Sequence, residues 1–166
     1  FEINHPLHIF GNDRAINGCI EVLPGYTKER FAFHCLIPFV TVERNGYKIT
    51  PLLANHAKWE LCYVYHIEKD GKAIFYGHDS GWFPEFPSQW LEKKQVVIVV
   101  FECTYGLHVK DRTDNHMSLE TVFAAKEKLQ QQGCLHQATQ IVVSHISHSG
   151  KLLHHELETV CAPHHV

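Results

Sequence analysis

The chain has 166 residues, a formal net charge of −3 and 45% apolar residues, which suffices for one domain with a hydrophobic core. Its basic residues do not cluster, which argues against a nucleic-acid or anionic-membrane partner, and no apolar run reaches the roughly 18 residues of a membrane span. We therefore expect a soluble, cytoplasmic protein. The six scattered cysteines fit reduced core thiols, and the fifteen histidines are the unusual feature.

Strands are predicted first along the chain, and several end in polar residues. Alternating β-forming residues predict a strand at residues 47–56 that ends at His56. An Asp-Gly pair predicts a hairpin within residues 61–81, whose second strand runs into Asp79. An almost uninterrupted apolar run over residues 95–106 predicts a strand that is buried on both faces.

Helices are predicted between the later strands. The further predicted elements are a short helix at residues 87–94, a longer helix at 117–132, a strand at 139–145 and a helix at 151–160. Asp114 or Asn115 is expected to cap the longer helix, and Gly133 to end it. This order predicts a mixed α/β fold. Without a repeat, a low-complexity tract or a linker, the chain is expected to form a single domain over residues 1–166.

Four residues stand where such elements begin or end. His56, Asp79 and His145 each follow the C-terminal end of a predicted strand, and His116 stands at the start of a helix. Strand ends at one edge of a sheet converge, imidazole nitrogen and carboxylate oxygen are ligands that zinc prefers, and an aspartate can bridge two ions. A non-functional interpretation is equally open from the spacing alone, because some of fifteen histidines will follow strands by chance and Asp79 fits an Asx turn.

Five short segments carry a family pattern: "ANH" (54–56), "FYGHDSG" (75–81), "FECTYG" (101–106), "DNHMSLETV" (114–122) and "VVSHISH" (142–148). Their succession resembles the metallo-β-lactamase fold. It is most similar to the phosphodiesterase branch of that family, which includes the cyclic phosphodiesterase of bacterial phosphonate breakdown. The resemblance implies an αββα sandwich that holds two divalent metal ions, zinc or manganese, at one edge.

The resemblance also implies roles for the four residues. Asp79 matches the aspartate that bridges the two ions, His56 matches a ligand of one ion, and His145 matches a ligand of the other. His116 matches a histidine that binds no metal and faces the substrate phosphate, where it can stabilise developing charge or protonate the leaving oxygen. These matches imply a metal-dependent hydrolase of small phosphodiesters, with cyclic ribose phosphates among the candidate substrates.

Departures from the family pattern add further expectations. Family members carry an upstream His-x-His-x-Asp-His motif that supplies more metal ligands, and this sequence contains no such motif. With His56, Asp79 and His145 alone, each ion would have at most two protein ligands. The segment "PLHIFG" resembles the strand that follows the motif, and "CAPHHV" resembles part of a last strand. We therefore expect a sandwich that is incomplete at the N-terminus and in its C-terminal strand, with an exposed edge that favours homo-oligomers.

Two alternative functions stay open. One is hydrolysis of another ester or of a lactone on the same fold, and the other is a non-catalytic fragment or degenerate paralogue that acts as a scaffold or binding protein. Glu102 stands where the family more often has an aspartate, so its role beside the metals is open. His148 is expected to be exposed or to contact a metal ligand rather than the metal. Cys103 is expected to be a buried thiol rather than a nucleophile.

Overall fold

The computed structural model describes residues 5–83, 85–107 and 114–166 as a mixed α/β structure. Its strands are β1 (Leu7–Gly11), β2 (Phe31–Cys35), β3 (Val42–Arg44), β4 (Tyr47–Leu53), β5 (Tyr63–Lys69), β6 (Lys72–Gly77), β7 (Ile98–Glu102) and β8 (Gln140–Ser144). Its α-helices are α1 (Asp13–Val22), α2 (Glu85–Leu91), α3 (Leu119–Gln131) and α4 (His154–Cys161). Short 3₁₀ turns occur at Gly25–Arg30, His148–Gly150 and Ala162–His164.

The larger sheet has six strands in the order β3-β4-β5-β6-β7-β8. Strands β3 to β6 pair antiparallel, and β6, β7 and β8 pair parallel. The predicted hairpin joins β5 to β6 through Asp70 and Gly71, whose φ values of 50° and 73° are those of the tight hairpin turn that Asp-Gly favours. Strands β4, β6, β7 and β8 therefore run in the same direction. Their C-terminal ends lie along one edge, which we call the carboxyl edge.

The core lies between this sheet and α2, α3 and α4, which pack in one hydrophobic cluster with it. Phe75 of β6 and Phe101 of β7 are fully buried there, and Leu119, Val122 and Leu129 of α3 belong to the same cluster at helical spacing. Burying one such phenylalanine contributes about 1.5–3 kcal/mol to the free energy of unfolding. This packing anchors the two central strands whose C-terminal ends carry the candidate site.

The smaller sheet pairs β1 with β2 in parallel, and α1 connects them. The strand predicted in "PLHIFG" is thus confirmed as β1, and Asn12 caps the helix after it by accepting a hydrogen bond from the Ala15 amide at 2.7 Å. Several hydrogen bonds tie this part to the larger sheet, among them Asn12 Nδ2 to the Leu61 carbonyl oxygen. Arg14 Nη1 donates to a carbonyl oxygen in the loop after β4 at 2.9 Å, and Tyr63 Oη donates to the Leu36 carbonyl oxygen at 3.2 Å.

Helix α3 begins later than predicted. Ser118 caps it by accepting from the Thr121 amide at 3.3 Å, so the prediction of Asp114 or Asn115 as the cap was wrong. The reason lies one residue earlier, because the Met117 carbonyl accepts a bond from Tyr105 N at 3.0 Å and its amide donates to a carboxylate of β7. Backbone groups engaged in this way hold the chain extended up to Ser118.

The C-terminal segment also differs from expectation. Instead of part of a strand, Ala162–His164 forms a 3₁₀ turn directly after α4. Pro163 has no amide hydrogen to give a strand ladder, and the His164 ring stacks on Phe123 of α3 with 3.8 Å between ring centroids. The predicted ends of α2 and α4 were each off by a few residues. No α-helix in the described parts of the chain is long and apolar enough to cross a membrane.

Candidate metal centre

The carboxyl edge brings all four predicted residues together. His56 follows β4, Asp79 follows β6, His145 follows β8 directly, and His116 arrives on the loop before α3. His56, Asp79 and His116 offer ligand atoms that all lie within 4.8 Å of one another. His145 Nε2 stands 3.4 Å from Asp79 Oδ1, and His116 Nδ1 stands 3.9 Å from the same oxygen. Sequence positions far apart in the chain thus meet around the Asp79 carboxylate.

The backbone turns sharply at two of these residues. Asp79 has a φ of 53° and His145 a φ of 55°, both in the left-handed region that non-glycine residues seldom occupy. A residue held there costs on the order of 1–3 kcal/mol, which the surrounding structure must offset, and such residues cluster at functional sites. The turns end β6 and β8 at the edge where their side chains meet.

The loops that carry His56 and Asp79 form one hydrogen-bonded unit. The Gly81 amide donates to the Asn55 carbonyl oxygen at 2.8 Å, and the Asn55 amide donates to Ser80 Oγ at 3.0 Å. Ser80 is fully buried, and its hydroxyl donates to the Gly81 carbonyl oxygen at 3.1 Å. Each functional side chain is therefore adjacent to a backbone position that the other loop holds in place.

The hydrogen bond of His56 determines which ring nitrogen is free. Its Nδ1 lies 3.0 Å from the Asn115 carbonyl oxygen, which can only accept, so Nδ1 carries the hydrogen. The lone pair of the neutral imidazole then stands on Nε2. A histidine that donates through one nitrogen to a carbonyl group and presents the other is the usual form of a metal ligand.

His145 is oriented in the same way by Thr104. The Thr104 hydroxyl donates to the Glu102 carboxylate at 2.7 Å, so toward His145 Nδ1, 2.9 Å away, it accepts. The proton of the neutral ring is thus on Nδ1, and the Nε2 lone pair faces Asp79 Oδ1 at 3.4 Å. Two lone pairs at this distance, one of them on an anion, repel each other unless a cation or a proton lies between them.

The surroundings of Asp79 Oδ1 also indicate a cation site. This oxygen is buried and finds no hydrogen-bond donor among the residues that the structure describes. A buried carboxylate oxygen without a donor carries a large desolvation cost, and a bound cation removes that cost. The donor set of imidazole nitrogens and a carboxylate therefore fits a divalent metal ion such as zinc.

Glu102 is a component of the site whose role the sequence left open. It is fully buried at the end of β7, where Oε1 accepts from the Met117 amide at 2.5 Å and faces His116 Nδ1 at 3.1 Å. Oε2 accepts from both the amide and the hydroxyl of Thr104 at 2.7 Å. The carboxylate thus holds the Nδ1 hydrogen of His116. The signal was present in the sequence, since a charge that ends a fully buried strand must have partners.

His78 is a second residue that the sequence analysis did not single out. It offers a ligand atom within 4.8 Å of those of Asp79 and His145, and Glu102, His116 and His145 form a further group of the same kind. Asp79 therefore belongs to two groups of three, whereas the sequence analysis expected at most two protein ligands for each ion. The expected position of His148 agrees with the structure, because this residue lies exposed in the turn His148–Gly150.

Cys103 is a buried thiol, as expected. Its side chain is fully buried, and burial raises the pKa of the thiol to about 12, so the thiol is neutral near pH 7. The same cause raises the pKa of the Cys134 and Cys161 thiols. Cys103, Cys134 and Cys161 are buried, as expected of core thiols, whereas Cys35 is exposed and Cys19 and Cys62 are only partly buried.

The sheet order and the edge site define a class of protein: the chain has a metallo-β-lactamase fold, as predicted. The metallo-β-lactamase fold protein YhfI from Bacillus subtilis matches with a TM-score of 0.70 and 18% identity over 93% of this chain and 57% of that one. A diphosphatase of the PhnP family matches with a TM-score of 0.68 and 20% identity over 92% and 51% of the two chains.

A third solved structure contains metal. Zn²⁺-bound PqqB from Methylobacterium extorquens matches with a TM-score of 0.69 and 13% identity over 96% of this chain and 61% of that one. The chain thus spans between about half and three fifths of the length of these structures and corresponds to part of their fold. No protein-family model matches the chain, and no curated protein is significantly similar to it in sequence.

Proposed function

We propose that the protein is a metal-dependent hydrolase of small phosphodiesters. The observation that carries this proposal is the Asp79 carboxylate at the carboxyl edge, with a buried oxygen that has no donor in the described part of the chain and that faces His116 and His145. A diphosphatase with the same fold supports chemistry at a phosphoryl group. The alternatives, an ester or lactone hydrolase and a scaffold, become outcomes of the test below.

In this proposal His56, Asp79 and His145 would hold two divalent ions, zinc or manganese: Asp79 would contribute to both, His56 to one and His145 to the other. Both histidines present Nε2, because their Nδ1 hydrogens are engaged with a carbonyl oxygen and with Thr104. When bound, divalent ions in such a site polarise phosphoryl oxygens and lower the pKa of a coordinated water.

His116 has a separate role in the proposal. Its Nδ1 hydrogen is held by the buried Glu102 carboxylate at 3.1 Å, so Nε2 is the nitrogen that meets the substrate. The Tyr105 ring packs against the His116 ring edge-on at 5.5 Å, and its hydroxyl donates to Asn115 Oδ1 at 2.9 Å, which restricts rotation of the imidazole. Through Nε2, His116 either stabilises negative charge on the phosphate or gives a proton to the leaving oxygen.

The test combines metal analysis with a substrate panel on the longest natural form of the protein. After dialysis we expect bound zinc or manganese and hydrolysis of bis-nitrophenyl phosphate and of cyclic nucleotides, lost with a chelator and restored by the metal. Nitrophenyl acetate and a lactone serve as comparison substrates. Hydrolysis of these two alone contradicts the phosphodiester assignment, and a protein that binds metal but hydrolyses nothing favours the scaffold alternative.

A further inference from the structure

His78 lies beside Asp79 and His145 at the carboxyl edge. We propose that His78 is a metal ligand, and that it completes with Asp79 and His145 a three-residue zinc site supplied entirely by this chain. The inference rests on the metal centre of the proposed function. It adds a ligand that the sequence pattern does not assign.

The distances around Asp79 agree with a zinc site. Ligands that stand about 2.1 Å from a tetrahedral zinc ion are roughly 3.4 Å from one another. His145 Nε2 and Asp79 Oδ1 are 3.4 Å apart, and a ligand atom of His78 lies within 4.8 Å of both side chains. Any excess over 3.4 Å must be closed by movement of the His78 side chain, which is only partly buried.

The ring contacts of His78 hold it near the site. The imidazole stacks on Tyr76 with 5.4 Å between ring centroids and an angle of 11°, and it meets the His145 ring edge-on at 4.6 Å. These contacts hold the ring next to His145, whose Nε2 faces Asp79 Oδ1. They also raise the competing explanation that His78 only packs against His145 and orients it.

The number of protein ligands sets how tightly the site binds zinc. Catalytic zinc sites have three protein ligands and leave a fourth position for water. Asp79 and His145 supply two ligands, and His78 supplies the third. A chain with all three is therefore expected to hold zinc by itself, more tightly than the sequence-based count of two ligands per ion predicts.

The experiment separates a ligand from a packing residue with two substitutions. His78→Ala removes both the nitrogens and the ring, whereas His78→Phe keeps an aromatic ring against Tyr76 and His145 and removes only the nitrogens. Zinc affinity of the whole chain is measured by competition with a chromophoric chelator. Because loss of a residue that merely supports a ligand costs 10- to 100-fold in metal affinity, we expect both variants to lose at least about 10-fold. His155→Ala, an exposed histidine on α4, is the control and should bind zinc as the wild type does.

A second measurement reports the ligand directly. Imidazole nitrogen resonances are recorded by long-range ¹H–¹⁵N NMR during a zinc titration, and the His78 signals are assigned by their loss in His78→Phe. One His78 ring nitrogen should shift on zinc binding, and the His155 nitrogens should not.

Each outcome bears on the inference or on the proposed function. Wild-type zinc affinity in both His78 variants overturns the inference and leaves the proposed function intact. Weakening in His78→Ala alone assigns His78 to packing and also overturns it. A wild-type chain that binds no zinc rejects the three-residue site itself. Tight zinc binding that depends on His78, without phosphodiester hydrolysis by the longest natural form, supports the inference and refutes the proposed function.

Discussion

Replacing Glu102 by glutamine tests the hydrogen-bond network beneath the candidate site. The substitution keeps the shape of the side chain and changes one acceptor oxygen into an NH₂ group. In the structure each carboxylate oxygen faces two groups: Met117 N and His116 Nδ1 on one side, and the amide and hydroxyl of Thr104 on the other. In either position the NH₂ group of glutamine faces a backbone N–H donor, that of Met117 or that of Thr104, which cannot rotate.

The expected loss of stability follows from the more favourable of the two orientations of the glutamine amide. With its nitrogen toward Thr104, glutamine can donate to the hydroxyl, which rotates to accept, and the Thr104 amide is left unpaired. A buried unpaired donor costs about 1–3 kcal/mol. We therefore expect Glu102→Gln to lower the free energy of unfolding by about 1–3 kcal/mol, although it adds no volume and opens no cavity.

Urea and thermal unfolding of the two proteins measure this difference. For a chain of this length each kcal/mol lowers the midpoint by roughly 2–4 °C. Glu127→Gln on the exposed face of α3 is the matched control, and it should stay within about 0.5 kcal/mol of the wild type. If Glu102→Gln is as stable as the control, then the carboxylate does not accept the bonds described and the account of this network is wrong.

Three other outcomes are expected. In the longest natural form, Asp79→Ala should lose metal and activity together. His116→Ala should keep the metal and lose about 10²- to 10⁴-fold in kcat. That loss in kcat should be smaller for nitrophenyl esters if His116 protonates the leaving oxygen. Metal loss in His116→Ala would make it a ligand instead. Gly106→Ala should destabilise the fold by at least about 1 kcal/mol, because the φ of Gly106 is 54° and a Cβ there would stand 2.7 Å from a carbonyl oxygen. Gly18→Ala in α1 should instead stabilise the fold by about 0.5–1 kcal/mol, and equal effects of the two substitutions in denaturation would refute the assignment of Gly106. Cys103 should resist alkylation at pH 8 until the protein unfolds, and mass spectrometry that finds it modified in the folded state would contradict its burial.

The elements with local signals were predictable from the sequence. The β5–β6 hairpin follows from an Asp-Gly pair because only a few residue types adopt the positive φ values that its turn requires. Strands β7 and β8 follow from short apolar runs, and the positions of His56, Asp79 and His145 follow from the polar residues that end three strands. Each of these predictions depends on neighbours within a few positions along the chain.

The remaining features depend on contacts between distant residues. Helix α3 begins at Leu119 because the Met117 backbone bonds to the end of β7 and the loop after it, which leaves Ser118 rather than Asp114 or Asn115 as the cap. The same contact gives Glu102 its role, since His116 and Met117 are distant from it in the sequence. The left-handed turns at Asp79 and His145 also require tertiary support, because their local energy opposes them. The sequence by itself determined that His56, Asp79 and His145 reach the carboxyl edge. The tertiary structure alone decided which nitrogens and oxygens face one another there, because those orientations depend on hydrogen bonds between residues far apart in the chain.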